Sequence, residues 1–177
     1  RILTFDEAID LIGMRAGLYP ELKTPALYRG RNVDIVALFA DAVKRRGLAV
    51  KMADGRPRLV VQSFDEQAVR DLAKALPQVS RTFLIGGGAP VARWLSGPDA
   101  LKEMATFAND IGPAKGLIEK TPAIVEWAHA AGLTVTPYTF RSGATGTYKD
   151  VEAEMRHFLY TLGVDAVFTD NPDKFPR

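Results

Sequence analysis

Six short apolar runs alternate with amphipathic helical patterns along the chain, and that alternation leaves few folds open. The runs are 18–23, 58–63, 81–85, 111–118, 133–140 and 164–169, the fourth being the least clearly marked. Helices are predicted at 6–12, 32–46, 65–76, 99–109, 122–131 and 148–162. Thr4 reads as the first N-cap. Val33, Val36, Phe39, Ala40 and Val43 form one stripe, closed by Gly47. Val69, Leu72, Ala73 and Leu76 form another before Pro77, and Val151, Met155, Phe158, Leu159 and Leu162 a third. Pro122 suits a first helical turn and Gly132 the end of that helix. Strands alternating with helices imply a parallel sheet, and near-continuous apolar strands imply cover on both faces.

Two architectures satisfy this pattern, a doubly wound sheet and a (β/α)₈ barrel. No G-x-G-x-x-G follows the first strand, which counts against a dinucleotide fold. Polar residues recur at strand C-terminal ends: Glu21 and Lys23, Gln62 and Ser63, Tyr138 and Thr139, Thr169 and Asp170. A barrel gathers such ends at one mouth, but it needs eight strands and about 250 residues. This chain has 177 residues, about two βα units short.

Composition excludes several classes. With 47% hydrophobic residues the chain can bury a core. Its 23 basic and 21 acidic residues give a net charge of +2, too balanced to argue for nucleic acid or an anionic membrane despite a pI near 8.9. No apolar run is long enough to span a bilayer. The absence of cysteine removes thiol catalysis, cysteine zinc sites and disulfides, and fits an exported bacterial protein slightly better than a cytosolic one. There is no signal-peptide pattern, and a start at Arg1 reads as processed, trimmed or left out.

The segment Gly17-Leu18-Tyr19-Pro20-Glu21-Leu22-Lys23-Thr24-Pro25 carries the sharpest chemical signal. Strand alternation puts Glu21 and Lys23 on one face, framed by Leu18 and Leu22. Taken locally, the pair is either a buried ion pair or a site for a metal and an anion. Glu21 can offer an oxygen to a hard cation, and Lys23 can hold a phosphate or serve as a Schiff-base nucleophile. Gln62 has no capping role, whereas Asp65 is explained as an N-cap. Gly86-Gly87-Gly88 lacks the Lys-Ser/Thr of a phosphate loop, and Pro90 argues against an immediate helix, so a flexible loop is expected. Tyr138 beside Arg141 suits a pocket for a polar organic group. Asp170 and Asn171 suit a turn before Pro172. His129 and His157 fall off the apolar stripes and read as surface residues, leaving no histidine for acid–base work.

Taken in order, LTFDEAIDLI, GLYPELKTP, VVQSFD, TPYTFR and GVDAVFTDNPDKF resemble the glycerophosphodiester phosphodiesterase family, most closely its periplasmic bacterial branch. The similarity runs from about Leu3 to Phe175. It implies a (β/α)₈ TIM barrel of the phospholipase-C-like phosphodiesterase type and hydrolysis of glycerophosphodiesters to glycerol 3-phosphate and an alcohol. It also implies one divalent cation, typically Ca²⁺ in that branch and often Mg²⁺ elsewhere, and a periplasmic or secreted location. By the same match Glu21 is a metal ligand and Lys23 contacts the phosphate. Gln62, Ser63 and Phe64 lie near the pocket, Tyr138 packs against the glycerol or alcohol portion, and Arg141 is a further substrate-binding residue. The family's His-Arg strand, its Glu-x-Asp strand and its His-Asp pair have no counterpart here. The chain, residues 1–177, is therefore expected to be the C-terminal part of one barrel domain, about its last six βα units, and inactive alone. Two alternatives stand beside this reading: a Lys23 Schiff-base aldolase, and a non-catalytic binding remnant.

Overall fold

The structure, a computed structural model, describes residues 1–176. It divides into two compact units, Arg1–Phe83 and a second that begins at Leu84.

The first unit opens with α1 (Phe5–Ile12), where Thr4 and Glu7 cap each other reciprocally. It continues with α2 (Pro25–Arg29), α3 (Ile35–Arg45), β1 (Val60–Ser63), α4 (Glu66–Ala75) and the start of β2 (Ser80–Ile85). Two of these depart from the sequence reading. Helix α2 was not anticipated, and α3 starts at Ile35 because the Asp34 carboxylate accepts the Val36 and Ala37 amides. β1 and β2 run parallel, with Val60 opposite Ser80 and Ser63 opposite Phe83.

The expected strand at 18–23 lies beside β1, but it pairs as two isolated parallel bridges, Leu18 with Leu59 and Glu21 with Gln62. The cause is Pro20. The Leu18 amide donates to Arg58 (2.8 Å), the Val60 amide to Leu18 (2.9 Å), the Gln62 amide to Pro20 (3.0 Å) and the Leu22 amide to Gln62 (2.9 Å). Proline has no N–H, so one rung is missing from the middle of this ladder.

Leu18, Leu59 and Val61 pack with Ile9 of α1, with Val36, Phe39 and Val43 of α3, and with Ala68 and Leu72 of α4. Alternation then turns Tyr19, Glu21, Gln62 and Thr82 to the opposite, polar face of the same strands. The buried Arg58 guanidinium donates to the carbonyls of Gly13 and Ala16 and so fastens the chain after α1 to the approach of β1. Asp65 caps α4 through the Ala68 amide at 2.8 Å and meets Arg29 at 3.0 Å. Asp65→Ala is expected to lower stability by about 1 kcal/mol, read as a shift in the denaturant midpoint. An unmoved midpoint would show that the cap is idle.

The second unit holds the end of β2, then α5 (Ala89–Trp94), α6 (Pro98–Met104), β3 (Asp110–Pro113) and α7 (Lys115–Lys120). α8 (Ala123–Ala130), β4 (Thr134–Val135), α9 (Val151–Tyr160) and a 3₁₀ turn at Pro172–Lys174 complete it. β3 and β4 are parallel, with Asp110 opposite Thr134 and Ile111 opposite Val135, and bridges at Ala114–Tyr138 and Phe140–Thr169 extend the pattern. Ile111, Val135, Phe140, Ile118, Val125, Met155 and Phe158 are all buried in this unit, and the Phe140 and Phe158 rings meet edge to face at 4.9 Å.

Several boundaries here correct the sequence reading. The run 111–118 is strand only at its start; from Lys115 it is helical, with Ile118 buried. A short apolar run does not reveal its period, which is why the two are confused. α5 begins immediately after Gly88, and Pro90 sits in its first turn, where a missing N–H costs no helical bond. Gly88 has φ of 67°, a backbone that glycine adopts freely. The run 133–140 is regular strand only at Thr134–Val135, and 164–169 lies beside it without forming a regular strand: it carries the Phe140–Thr169 bridge, and the Asp165 and Phe168 amides donate to the Val135 and Pro137 carbonyls, each at 3.0 Å. α6 stops at Met104, and α9 starts at Val151 because Asp150 caps it through the Ala153 amide.

Candidate functional site

In the first unit Glu21, Lys23 and Gln62 come together, as expected. Register places Gln62 between Glu21 on one side and Thr82 on the other, all on the polar face. Glu21 is partly buried, its side chain 21% exposed, whereas Lys23 is 78% exposed, and its Nζ stands 3.5 Å from Glu21 Oε2. The pair is therefore not a buried ion pair. Its ammonium is open to a ligand in solution, and an exposed pair of this kind contributes only about 0–1 kcal/mol.

The backbone under this pair is held firmly. Ser63, fully buried, donates its hydroxyl to the Leu22 carbonyl at 2.8 Å and accepts the Asp65 amide at 3.1 Å. Ser63 thus fastens the backbone between Glu21 and Lys23 to the end of β1. Phe64 follows it and is 47% exposed at the end of β1. Tyr19, two residues before Glu21 on the same alternation, shares a hydrogen bond with the Thr82 hydroxyl. The sequence reading missed both; counting back by two from Glu21 would have found Tyr19.

In the second unit Tyr138 and Arg141 share one segment after β4. The Tyr138 amide donates to Pro113 at 3.2 Å and its carbonyl accepts the Lys115 amide at 2.9 Å. Arg141 Nε meets Asp170 Oδ2 at 3.3 Å, with both side chains more than half exposed. The Ser142 amide donates to Asn171 Oδ1 at 2.8 Å. Asp170 and Asn171 thus do more than form a turn: they tie down the segment that bears Arg141.

Beneath that segment lies a charged pair that the sequence reading did not single out. Lys115 Nζ bonds Glu154 Oε1, and Glu154 is 1% exposed. Burial pushes the Glu154 carboxyl above the ordinary range, Lys115 pulls it back, and Glu119 adds to the rise. Burial likewise raises the Tyr148 hydroxyl, helped by Glu119 and Glu154.

Both histidines have other work. His129, exposed, bonds Asp165 at 2.9 Å. His157 is half-buried against Tyr148, with ring centres 5.5 Å apart, and so is not the free surface residue expected.

Among the described residues no three histidine, cysteine or acidic side chains are grouped as a metal would require. Glu21 offers one carboxylate, and a hard cation wants six or more oxygens. Among the described residues Glu21 can therefore supply one oxygen to a cation but does not complete its site.

Parallel strands, a helix following each, and polar side chains at strand ends are the marks of a (β/α)₈-type enzyme scaffold. Solved structures bear out that fold. A glycerophosphoryl diester phosphodiesterase structure from Silicibacter pomeroyi aligns with a TM-score of 0.67 at 23% identity, covering 96% of this chain and 52% of its own. A phosphodiesterase from Oleispira antarctica in complex with the product sn-glycerol-3-phosphate aligns with a TM-score of 0.65 at 22% identity, covering 96% and 58%. The chain belongs to the glycerophosphoryl diester phosphodiesterase family, which matches residues 2–174. A glycerophosphodiester phosphodiesterase of Bacillus subtilis is 28% identical over 179 residues, spanning 100% of this chain and 54% of the relative. One from Haemophilus influenzae is 26% identical over 212 residues, spanning 98% and 57%. The chain thus spans a little over half the length of these relatives.

Proposed function

We propose that the protein containing this chain hydrolyses glycerophosphodiesters to glycerol 3-phosphate and an alcohol. One water is consumed: the phosphorus–oxygen bond to the alcohol breaks, the water oxygen ends on phosphorus, and the alcohol leaves with a proton. The carrying observation is the Glu21–Lys23 pair at a strand end, its ammonium open to solvent, in a chain that the family matches over residues 2–174.

In this reading Lys23 neutralises a phosphate oxygen, and Gln62 and Phe64 border the same place. Tyr138 and Arg141 meet the glycerol or alcohol portion. Glu21 is one oxygen ligand of a divalent cation, Ca²⁺ in the periplasmic branch of the family, with Mg²⁺ the alternative. Such a cation would polarise the phosphoryl group. We further propose that the chain is the C-terminal part of the family barrel and that the protein is periplasmic or secreted. Those two readings rest on the sequence resemblance.

The test is release of glycerol 3-phosphate from glycerophosphocholine by the full-length protein, with and without a chelator. Turnover that stops with the chelator and returns with Ca²⁺ supports the proposal. No turnover of any glycerophosphodiester would overturn it, and turnover indifferent to the chelator would remove the cation.

A further inference from the structure

We propose that Lys115 is a positioning residue that holds the segment bearing Tyr138 and Arg141, and so sets the affinity for the non-phosphate part of the substrate. The role rests on the functional reading above.

Lys115 contacts this segment on both sides of Arg141. Its backbone N–H donates to the Tyr138 carbonyl at 2.9 Å. Its ammonium donates to the Ala144 carbonyl at 2.8 Å and lies 5.3 Å from the centre of the Phe140 ring. One residue thus grips positions 138, 140 and 144, and Arg141 lies inside that bracket. The far end of the grip is Glu154 on α9, whose Oε1 takes the same ammonium.

The energetics argue for a directional tether more than for ordinary packing. Glu154 is almost wholly buried, and its Oε2 has no hydrogen-bond partner. Burying a carboxylate and an ammonium costs desolvation that their attraction only partly offsets, and well-packed apolar residues would serve stability as well. An ammonium does what an apolar side chain cannot: its three N–H groups point to separate acceptors. Here two of them are a loop carbonyl and a helix carboxylate. The segment from Arg141 to Asp150 has no regular secondary structure of its own, so its order depends on such contacts. When Tyr138 and Arg141 are held in advance, binding does not have to order them.

Lys115→Met alone leaves Glu154 buried without its partner and risks the fold, so the decisive variant is Lys115→Met/Glu154→Gln, which removes both charges. Lys120→Met, at the exposed end of the same helix, is the control for loss of a positive charge. Two quantities are read in the full-length protein: amide exchange of the peptide covering 139–149, and KM and kcat for glycerophosphocholine. In the double variant exchange should quicken at least tenfold, and KM should rise about tenfold with kcat within about threefold. Lys120→Met should change neither quantity.

Unchanged exchange in the double variant would overturn the tether. Faster exchange with unchanged KM would overturn the positioning role. Equal losses in kcat and stability with KM unmoved would make the pair merely structural. A wild-type protein that hydrolyses no glycerophosphodiester would instead refute the functional reading on which the role rests.

Discussion

Glu21→Ala in the full-length protein is expected to lower glycerophosphodiester hydrolysis by about 10²-fold or more and to move its Ca²⁺ requirement to much higher concentration. Replacing even an outer partner of a metal ligand typically costs about 10–100-fold, and a direct ligand should exceed that. The partial burial of Glu21, beside a Lys23 that is mostly in solvent, favours a carboxylate kept for a ligand. The fold should be nearly indifferent, because the partner Lys23 is mostly in solvent and loses little when left alone. Activity measured against Ca²⁺ concentration tests this, and a variant with the wild-type cation dependence would take Glu21 out of the metal's reach.

Lys23→Met is expected to lower kcat/KM by about 10²–10³-fold, the loss typical of one donor aimed at a developing oxyanion. Its stability should change by only about 0–1 kcal/mol. The two effects separate two roles. A lysine that serves only to neutralise a buried Glu21 would, when lost, cost about 3–5 kcal/mol. At 78% exposure Lys23 is not in that position. A melting temperature that falls steeply while specific activity of the folded protein stays near normal would return Lys23 to a structural part.

Much of the scaffold was legible because its signals are local. Thr4 with Glu7, and Asp65 before α4, are cap chemistry that needs only neighbours in sequence. Val36, Phe39, Ala40 and Val43 of α3 and Val69 and Leu72 of α4 are buried as their spacing implies, whereas Val33, placed in the same stripe, precedes the helix and is exposed. What was misread depended on distant partners. The helix at Lys115–Lys120 looked like strand because Leu117 and Ile118 extend an apolar run, and only packing reveals the period. The ladder at 18–23 fails at Pro20, which matters only once β1 lies beside it.

The site divides in the same way. Glu21, Lys23 and Gln62 were readable from alternation and strand ends. Tyr19 with Thr82 joins residues far apart in the chain, as does Lys115 with Glu154, and neither pair carries a motif. The exposure of Lys23 was also out of reach, since a sequence gives the face of a strand but not what covers it.

The two-sidedness of the segment at 18–23 has a consequence for how this protein can change over time. Leu18 and Leu22 press into the helices, while Tyr19 and Glu21 turn away from them. Adjacent residues therefore answer to different demands: one sets whether the chain folds, the next, under the proposed function, what it can bind. A lineage can alter substrate preference at odd positions while even positions keep the fold, and a single inserted or deleted residue would exchange the two sets at once. Substitutions are accessible to such a strand as routes to new chemistry; changes of length are not.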